Sequence, residues 1–240
     1  MVMAFTCQPS PGTPSQNRLR PHPFFLSRLF LLGLVILLGS AARADEWWAW
    51  NSLEFWREPR ARAWLFLGNR LDTRDGAYVQ IISPRFRYEL LPWLGVATGQ
   101  SALSIENTRT GDRFLQWRPE LELIPHYEPV PSLSIELRNR MEWRWNEGES
   151  FTVSRSRHRL QATWTLPHPI GPITRFFVSD ELLSDLHRHQ WSENRLIPAG
   201  LTFKLGPQAD LDIFYMLFAA RAQPHWRQES VIGTFLRVRL

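Results

Sequence analysis

The stretch 134–145, S-I-E-L-R-N-R-M-E-W-R-W, restricts the fold more than any other part of the chain. One parity holds Ile135, Leu137, Asn139, Met141, Trp143 and Trp145; the other holds Ser134, Glu136, Arg138, Arg140, Glu142 and Arg144. A β-strand sends successive side chains to opposite faces, so this segment has one apolar face and one ionic face. Wound as a helix, it would carry charge around its whole circumference. Two kinds of protein accommodate such a strand: a soluble β-structure with the ionic face in water, and a transmembrane barrel with the ionic face in the lumen.

The alternation recurs along the chain. Residues 78–91 set Ser83, Arg85, Arg87 and Glu89 against Ile82, Phe86, Tyr88 and Leu90. Residues 115–127 set Gln116, Arg118, Glu120, Glu122 and His126 against Leu115, Trp117, Leu121, Leu123 and Tyr127. Pro119 and Pro125 fall on that apolar parity and predict bends or gaps in the ladder. Residues 154–166 carry Arg155, Arg157, Arg159 and Gln161 opposite Leu160, Ala162 and Trp164, and residues 173–183 carry Arg175, Ser179 and Glu181 opposite Phe176, Val178 and Leu182. In 194–205, Arg195 sits on the apolar parity, which predicts a bulge at Pro198. The chain closes with Ile232, Thr234, Leu236, Val238 and Leu240 alternating with Arg237 and Arg239. No segment after Gly39 has a helical period, and ten-residue strand-like runs joined by turn signals predict an antiparallel barrel or sandwich.

The first 44 residues stand apart. They contain Arg18, Arg20, Arg28 and Arg43 but no acid, then an apolar run from Leu29 to Gly39 and Ala42-Arg-Ala44 before Asp45. An uninterrupted run of about 11 residues is too short to span a bilayer and suits a signal peptide, cleaved after Ala44. Four of the 28 basic residues lie there, against none of the 23 acidic ones, so the rest of the chain is close to neutral and offers no basic patch for nucleic acid. The single cysteine, Cys7, leaves with the leader, and the mature chain has no thiol or disulfide chemistry.

Three features favour the membrane over water. Compact connections at Pro92-Trp93, 128–131, 167–172 and 206–208 alternate with more polar ones, as the two ends of an outer-membrane barrel do. Trp93, Tyr127, Trp143, Trp145, Trp164 and Trp191 fall near strand ends, where interfacial girdles lie. The terminal G-T-F-L-R-V-R-L resembles the targeting strand that outer-membrane proteins present to the barrel-assembly machinery, although it ends in Leu240 and not an aromatic residue. The expected fold is an all-β, transmembrane, antiparallel up-and-down barrel of about 10–12 strands. The expected divisions are 1–44 signal peptide, 45–60 aromatic segment or first strand, and 61–240 barrel. Residues 61–240 supply ten strands. The run from Trp47 to Trp56, part of a segment with four of the twelve tryptophans, is an odd eleventh. Closed bacterial barrels normally have an even number, so either this run is periplasmic or a plug, or another run divides into two strands.

From Leu115 onward the order of short motifs resembles the uncharacterised bacterial outer-membrane family known as domain of unknown function 2490. The motifs are Arg138-Asn-Arg140-Met-Glu142, Arg155 to Arg159, Asp180-Glu181, Glu193-Asn-Arg195, Gly200-Leu201 and Tyr215; Asn51 and the early tryptophans also fit. Asp180 stands where the pattern has Asn. The resemblance implies a barrel in the bacterial outer membrane and supplies no activity.

The candidate site is a set of charged residues on the polar parities of consecutive strands: Arg118, Glu120, Glu122, Glu136, Arg138, Arg140, Glu142, Arg155, Arg157, Arg159, Arg175 and Glu181. Cross-strand pairing would turn them into an ionic core that fills a narrow lumen. The alternative is a lumen that passes or binds an anionic solute. A lipid hydrolase would draw on Ser154, Ser156 and His158, or on His126, but Ser156 and His158 fall on the outward parity. His187 and His189 share a polar loop without a third metal ligand in view, and no cofactor motif is present. The expected partners are outer-membrane lipids and the assembly machinery, with the chain a monomer.

Overall fold

The computed structural model describes residues 44–73, 76–107, 110–150, 152–222 and 225–240. The signal-peptide assignment lies outside them except for Ala44. Eleven strands close into one barrel: β1 (Glu46–Arg57), β2 (Ala61–Asp72), β3 (Gly76–Leu91), β4 (Leu94–Glu106), β5 (Arg113–Val130), β6 (Leu133–Asn146), β7 (Thr152–Ile170), β8 (Ile173–Asp185), β9 (Gln190–Lys204), β10 (Ala209–Ala222) and β11 (His225–Arg239). Each strand pairs antiparallel with the next, and β1 closes the barrel against β11.

The closure corrects the expectation of an even count. The tryptophan-rich run is β1, a wall strand, not a plug, and it pairs with β11 in parallel from Glu46↔Val231 to Glu54↔Arg239. Geometry requires this: in a meander of odd length the first and last strands run the same way. Asp45 therefore lies at the opposite end of the barrel from Leu240. Backbone bonds from Asp45 to Ser230 at 2.8 Å and from Leu240 to Glu54 at 3.0 Å pin the two ends of the seam.

Apolar residues of one parity point outward all round. Ile82, Leu90, Leu121, Leu123, Leu160 and Leu217 are exposed, while Ser83, Arg87, Glu120, Glu122, Arg140, Glu142 and Glu181 are buried inside. Both proline expectations are met. Strand β5 pairs with β4 without interruption, yet its pairing with β6 skips residues 118–119 and 124–125, beside the prolines that lack an N–H. At Pro198 the registers of β9 with β8 and with β10 both shift, and the inward parity passes from Arg195 and Ile197 to Gly200 and Thr202. Two strands run further than their turn signals suggest. β5 reaches Val130 and β7 reaches Ile170, each rejoining its neighbour only at the last residue, beyond the prolines.

One arc of the inner wall is aromatic. Trp48, Phe177, Ile197, Phe214, Met216, Phe218 and Val231 are buried together, with Trp50 packed against them. Trp50 stands 5.4 Å from Phe214 and 6.2 Å from Phe235 between ring centres, and Trp48 stands 5.5 Å from Phe218, so β1 is bound to β10 and β11 from inside. Glycines make room for these rings: Gly233 pairs with Phe214 across β10–β11, and Gly200 pairs with Phe177 across β8–β9. A methyl group at either glycine would fall within its partner's ring.

Gly233→Ala is thus expected to lower stability by about 1–3 kcal/mol, the usual cost of overpacking a filled core. Denaturant unfolding of the folded barrel measures it, and trimming the ring in Gly233→Ala/Phe214→Leu should recover part of the loss. An unchanged midpoint in Gly233→Ala would show that the ring does not lie on the glycine.

Candidate functional site

Opposite the aromatic arc, the inward residues of β3 and β5 to β9 form one connected ionic lattice. Arg85 reaches Glu120 at 2.8 Å and Glu122 at 3.2 Å. Arg140 takes the same two carboxylates at 2.9 and 2.5 Å, then Glu142 at 3.5 Å. Glu142, wholly enclosed, also accepts from Arg144 at 2.5 Å and Arg157 at 2.6 Å. Arg157 continues to Glu181 at 2.8 Å, which Arg138 holds at 2.6 Å and Arg195 at 3.5 Å. Glu193 ends the chain of contacts between Arg195 and Arg155, each at 2.5 Å.

Smaller groups occupy the end of the barrel nearer the compact turns. Glu136 lies between Arg87 at 3.2 Å and Arg159 at 3.3 Å. Asp210 takes Arg239 at 2.7 Å and Arg175 at 3.4 Å, and Asp212 pairs with Arg237 while accepting from Thr202 at 2.6 Å. Arg118 is the exception among the twelve candidates. It donates to Gln116, and no carboxylate is within ion-pair distance of it among the described residues.

Eleven of the twelve candidates therefore enter ion pairs, eight of them in the main lattice. The candidate set left out Arg85, Arg87, Arg144, Glu193, Arg195, Asp210, Asp212, Arg237 and Arg239. Parity could have found most of them, since Asp210 and Asp212 are two apart, as are Arg85 and Arg87. Arg195 was hidden by the bulge at Pro198. The inner aromatic arc was not visible because the run holding Trp48 and Trp50 reads equally as a strand or a plug, and nothing local links it to the phenylalanines of β8 and β10.

Cations join the two halves of the lumen. Arg70 lies over the Trp48 ring at 3.9 Å, with Arg195 at 5.2 Å from the same ring, and Arg85 lies 5.3 Å from Phe66. Such contacts strengthen as water is removed.

The hydrolase candidates do not assemble. His158 points outward, its Nδ1 2.8 Å from Asn139 Oδ1, and no hydrogen bond joins it to Ser156. His126 has a buried Nδ1 without a partner and contacts no serine hydroxyl. His187 and Arg188 turn their backbone N–H groups to Asp185 at 3.0 Å. Among the described residues no three His, Cys, Asp or Glu side chains are grouped to hold a metal.

The family model for the protein of unknown function DUF2490 matches residues 46–229. The chain belongs to this family. In this DUF2490 chain the ordered motifs coincide with the lattice: Arg138, Arg140, Glu142, Arg157, Glu181, Glu193 and Arg195 are linked to one another, and Gly200 is the seat of Phe177. No curated protein matches the chain.

Removing one partner of a buried ion pair strands the others, at a cost of about 3–5 kcal/mol. Glu142→Gln, which leaves Arg140, Arg144 and Arg157 facing one another, should destabilise the barrel by that order in denaturant unfolding. Glu89→Gln, at a more open end-of-barrel pair with Arg87, should cost about 1 kcal/mol or less. Equal effects of the two substitutions would mean that the lattice is solvated.

Proposed function

We propose that the chain is a monomeric bacterial outer-membrane barrel whose lumen is closed by its own side chains, serving the envelope as a sealed barrel and not as an open pore. The observation that carries this reading is the inverted distribution of polarity. Exposed leucine and isoleucine cover the outside at mid-strand, and the charges lie within. A soluble barrel of this kind would leave its apolar wall in water, far beyond the few hundred Å² of contiguous apolar patch usual for a monomer.

Aromatic side chains support the same reading. Phe55, Trp56, Trp93 and Tyr127 are exposed towards the end that carries the compact turns, and Trp47, Trp117, Trp145, Trp191 and Trp226 towards the other. Two such rings bracketing an apolar band match the interfacial girdles of membrane barrels. No described helix is long and apolar enough to cross a membrane, so the strands are the spanning elements in this proposal. The compact-turn end, with Leu240, faces the periplasm, and β11, with Leu236 and Val238 on its outward parity, is the strand offered to the assembly machinery.

The reading of a closed lumen is supported by contacts between the two arcs: Arg70 and Arg195 lie against the Trp48 ring, and Arg85 against Phe66. Anion passage would need the arginines to be free, and Arg140 and Arg157 are each committed to at least two carboxylates.

Sodium carbonate-washed outer membranes should retain the protein, and unboiled samples should run faster on denaturing gels than boiled ones. Release by carbonate together with the absence of a heat shift would contradict the membrane placement.

A further inference from the structure

We propose that the half of the lumen nearer the compact turns is a binding site for an amphiphilic anion, a molecule with an apolar tail ending in a carboxylate or phosphate group. The inference rests on the reading of the lumen as closed, since a sealed barrel can hold a ligand that an open one would let pass. Between the lattice and the aromatic arc, and continuing toward the compact turns, the side chains leave a cavity of about 520 Å³, with Glu120, Arg140 and Arg157 of the lattice in its wall. That is within the roughly 300–1,000 Å³ of sites that enclose small organic ligands.

Its walls differ in chemistry. Trp50, Trp64, Phe66, Ile81, Met216 and Phe235 supply an apolar side, while arginines and fewer carboxylates supply the rest. The key residue is Arg62. Three arginines lie in one transverse row, Arg57 on β1, Arg62 on β2 and Arg87 on β3. The outer two have their own carboxylates: Arg57 holds Glu54 at 2.5 Å, and Arg87 holds Glu89 at 2.6 Å and Glu136 at 3.2 Å. Arg62 has no carboxylate within ion-pair distance among the described residues. Its guanidinium lies 5.5 Å from the centre of the Trp64 ring, and its buried Nε has no acceptor.

A guanidinium carries five N–H donors, and a half-buried one whose enclosed Nε lacks an acceptor is costly. Asp210 already serves two arginines, and Glu136 another two, so the surrounding carboxylates are in short supply. An anionic head placed at Arg62 supplies the missing acceptors and the missing charge. A small inorganic anion would satisfy Arg62 alone and leave the aromatic wall beside it uncovered. An apolar tail lying along Trp50, Trp64 and Phe66 removes that surface from water as well. At the mouth the side chains of Arg57, Arg175 and Arg239 are more than a third exposed and draw anions to the opening.

The test uses the full mature barrel in nanodiscs of zwitterionic lipid, so that no detergent competes. The probe is cis-parinarate, a fluorescent polyene carboxylate that accepts energy from tryptophan; the matched uncharged alcohol, inorganic phosphate and empty nanodiscs are controls. Saturable tryptophan quenching by parinarate at one molecule per barrel is expected, with the alcohol and the Arg62→Gln variant each binding roughly 10- to 100-fold more weakly, the value of a charge-assisted hydrogen bond. Arg113→Gln, an exposed residue at the opposite end of the barrel, should bind within about threefold of wild type. The heat shift of each variant reports that it is folded. Equal binding of acid and alcohol, unchanged binding in folded Arg62→Gln, or displacement by phosphate at matched concentration would overturn the proposal. Absence of quenching in a barrel that shows the heat shift overturns this inference alone, whereas loss of the heat shift from wild type overturns the membrane reading beneath it.

Discussion

Arginine faces arginine across the β6–β7 hairpin, and the rest of the structure answers that conflict. In register, Arg138 lies opposite Arg159 and Arg140 opposite Arg157. Like charges opposite each other destabilise a two-stranded ladder. The hairpin's own Glu136 and Glu142 hold Arg159 and Arg157 but are too few for its six arginines, and the remaining carboxylates come from elsewhere: Glu120 and Glu122 from β5, and Glu181 from β8. The hairpin is thus electrostatically incomplete until its neighbours dock. Since Glu142 and Glu181 each gather three arginines from two or more strands, no pair can be satisfied by itself. Lattice and barrel form together.

The aromatic arc solves a different problem, the parallel seam between β1 and β11. Parallel pairing is somewhat weaker per residue than antiparallel pairing. Trp48 and Trp50 compensate from the inside by packing on rings of β10 and β11, and Gly233 lets Phe214 lie close to the wall. The density of tryptophan in β1 therefore has a structural cause. It is also the reason one side of the lumen is apolar, and hence why a cavity there has both an aromatic wall and arginines.

Much of this was legible in the sequence. Period-two alternation marked the strands and their inward parity, and eleven of the twelve charged residues it singled out are paired in the lumen. Pro119, Pro125 and Pro198 marked real interruptions, because a proline cannot supply the N–H that a neighbouring ladder needs. The partner of each arginine was not legible. Strand tilt displaces neighbours along the wall, so Arg157 meets Glu142 although its register partner is Arg140. Closure was also hidden, because the pairing of β1 with β11 joins the two ends of the chain, and no local signal distinguishes a seam strand from a plug.

On the proposed reading the ionic lattice on one wall and the aromatic rings on the other leave an enclosed cavity and no through-path, so the barrel excludes ions in spite of its many arginines. Single-channel recording of the purified mature protein in planar bilayers tests that most directly. The account predicts a baseline indistinguishable from that of the bare membrane, whereas steady, anion-selective conductance steps would contradict it.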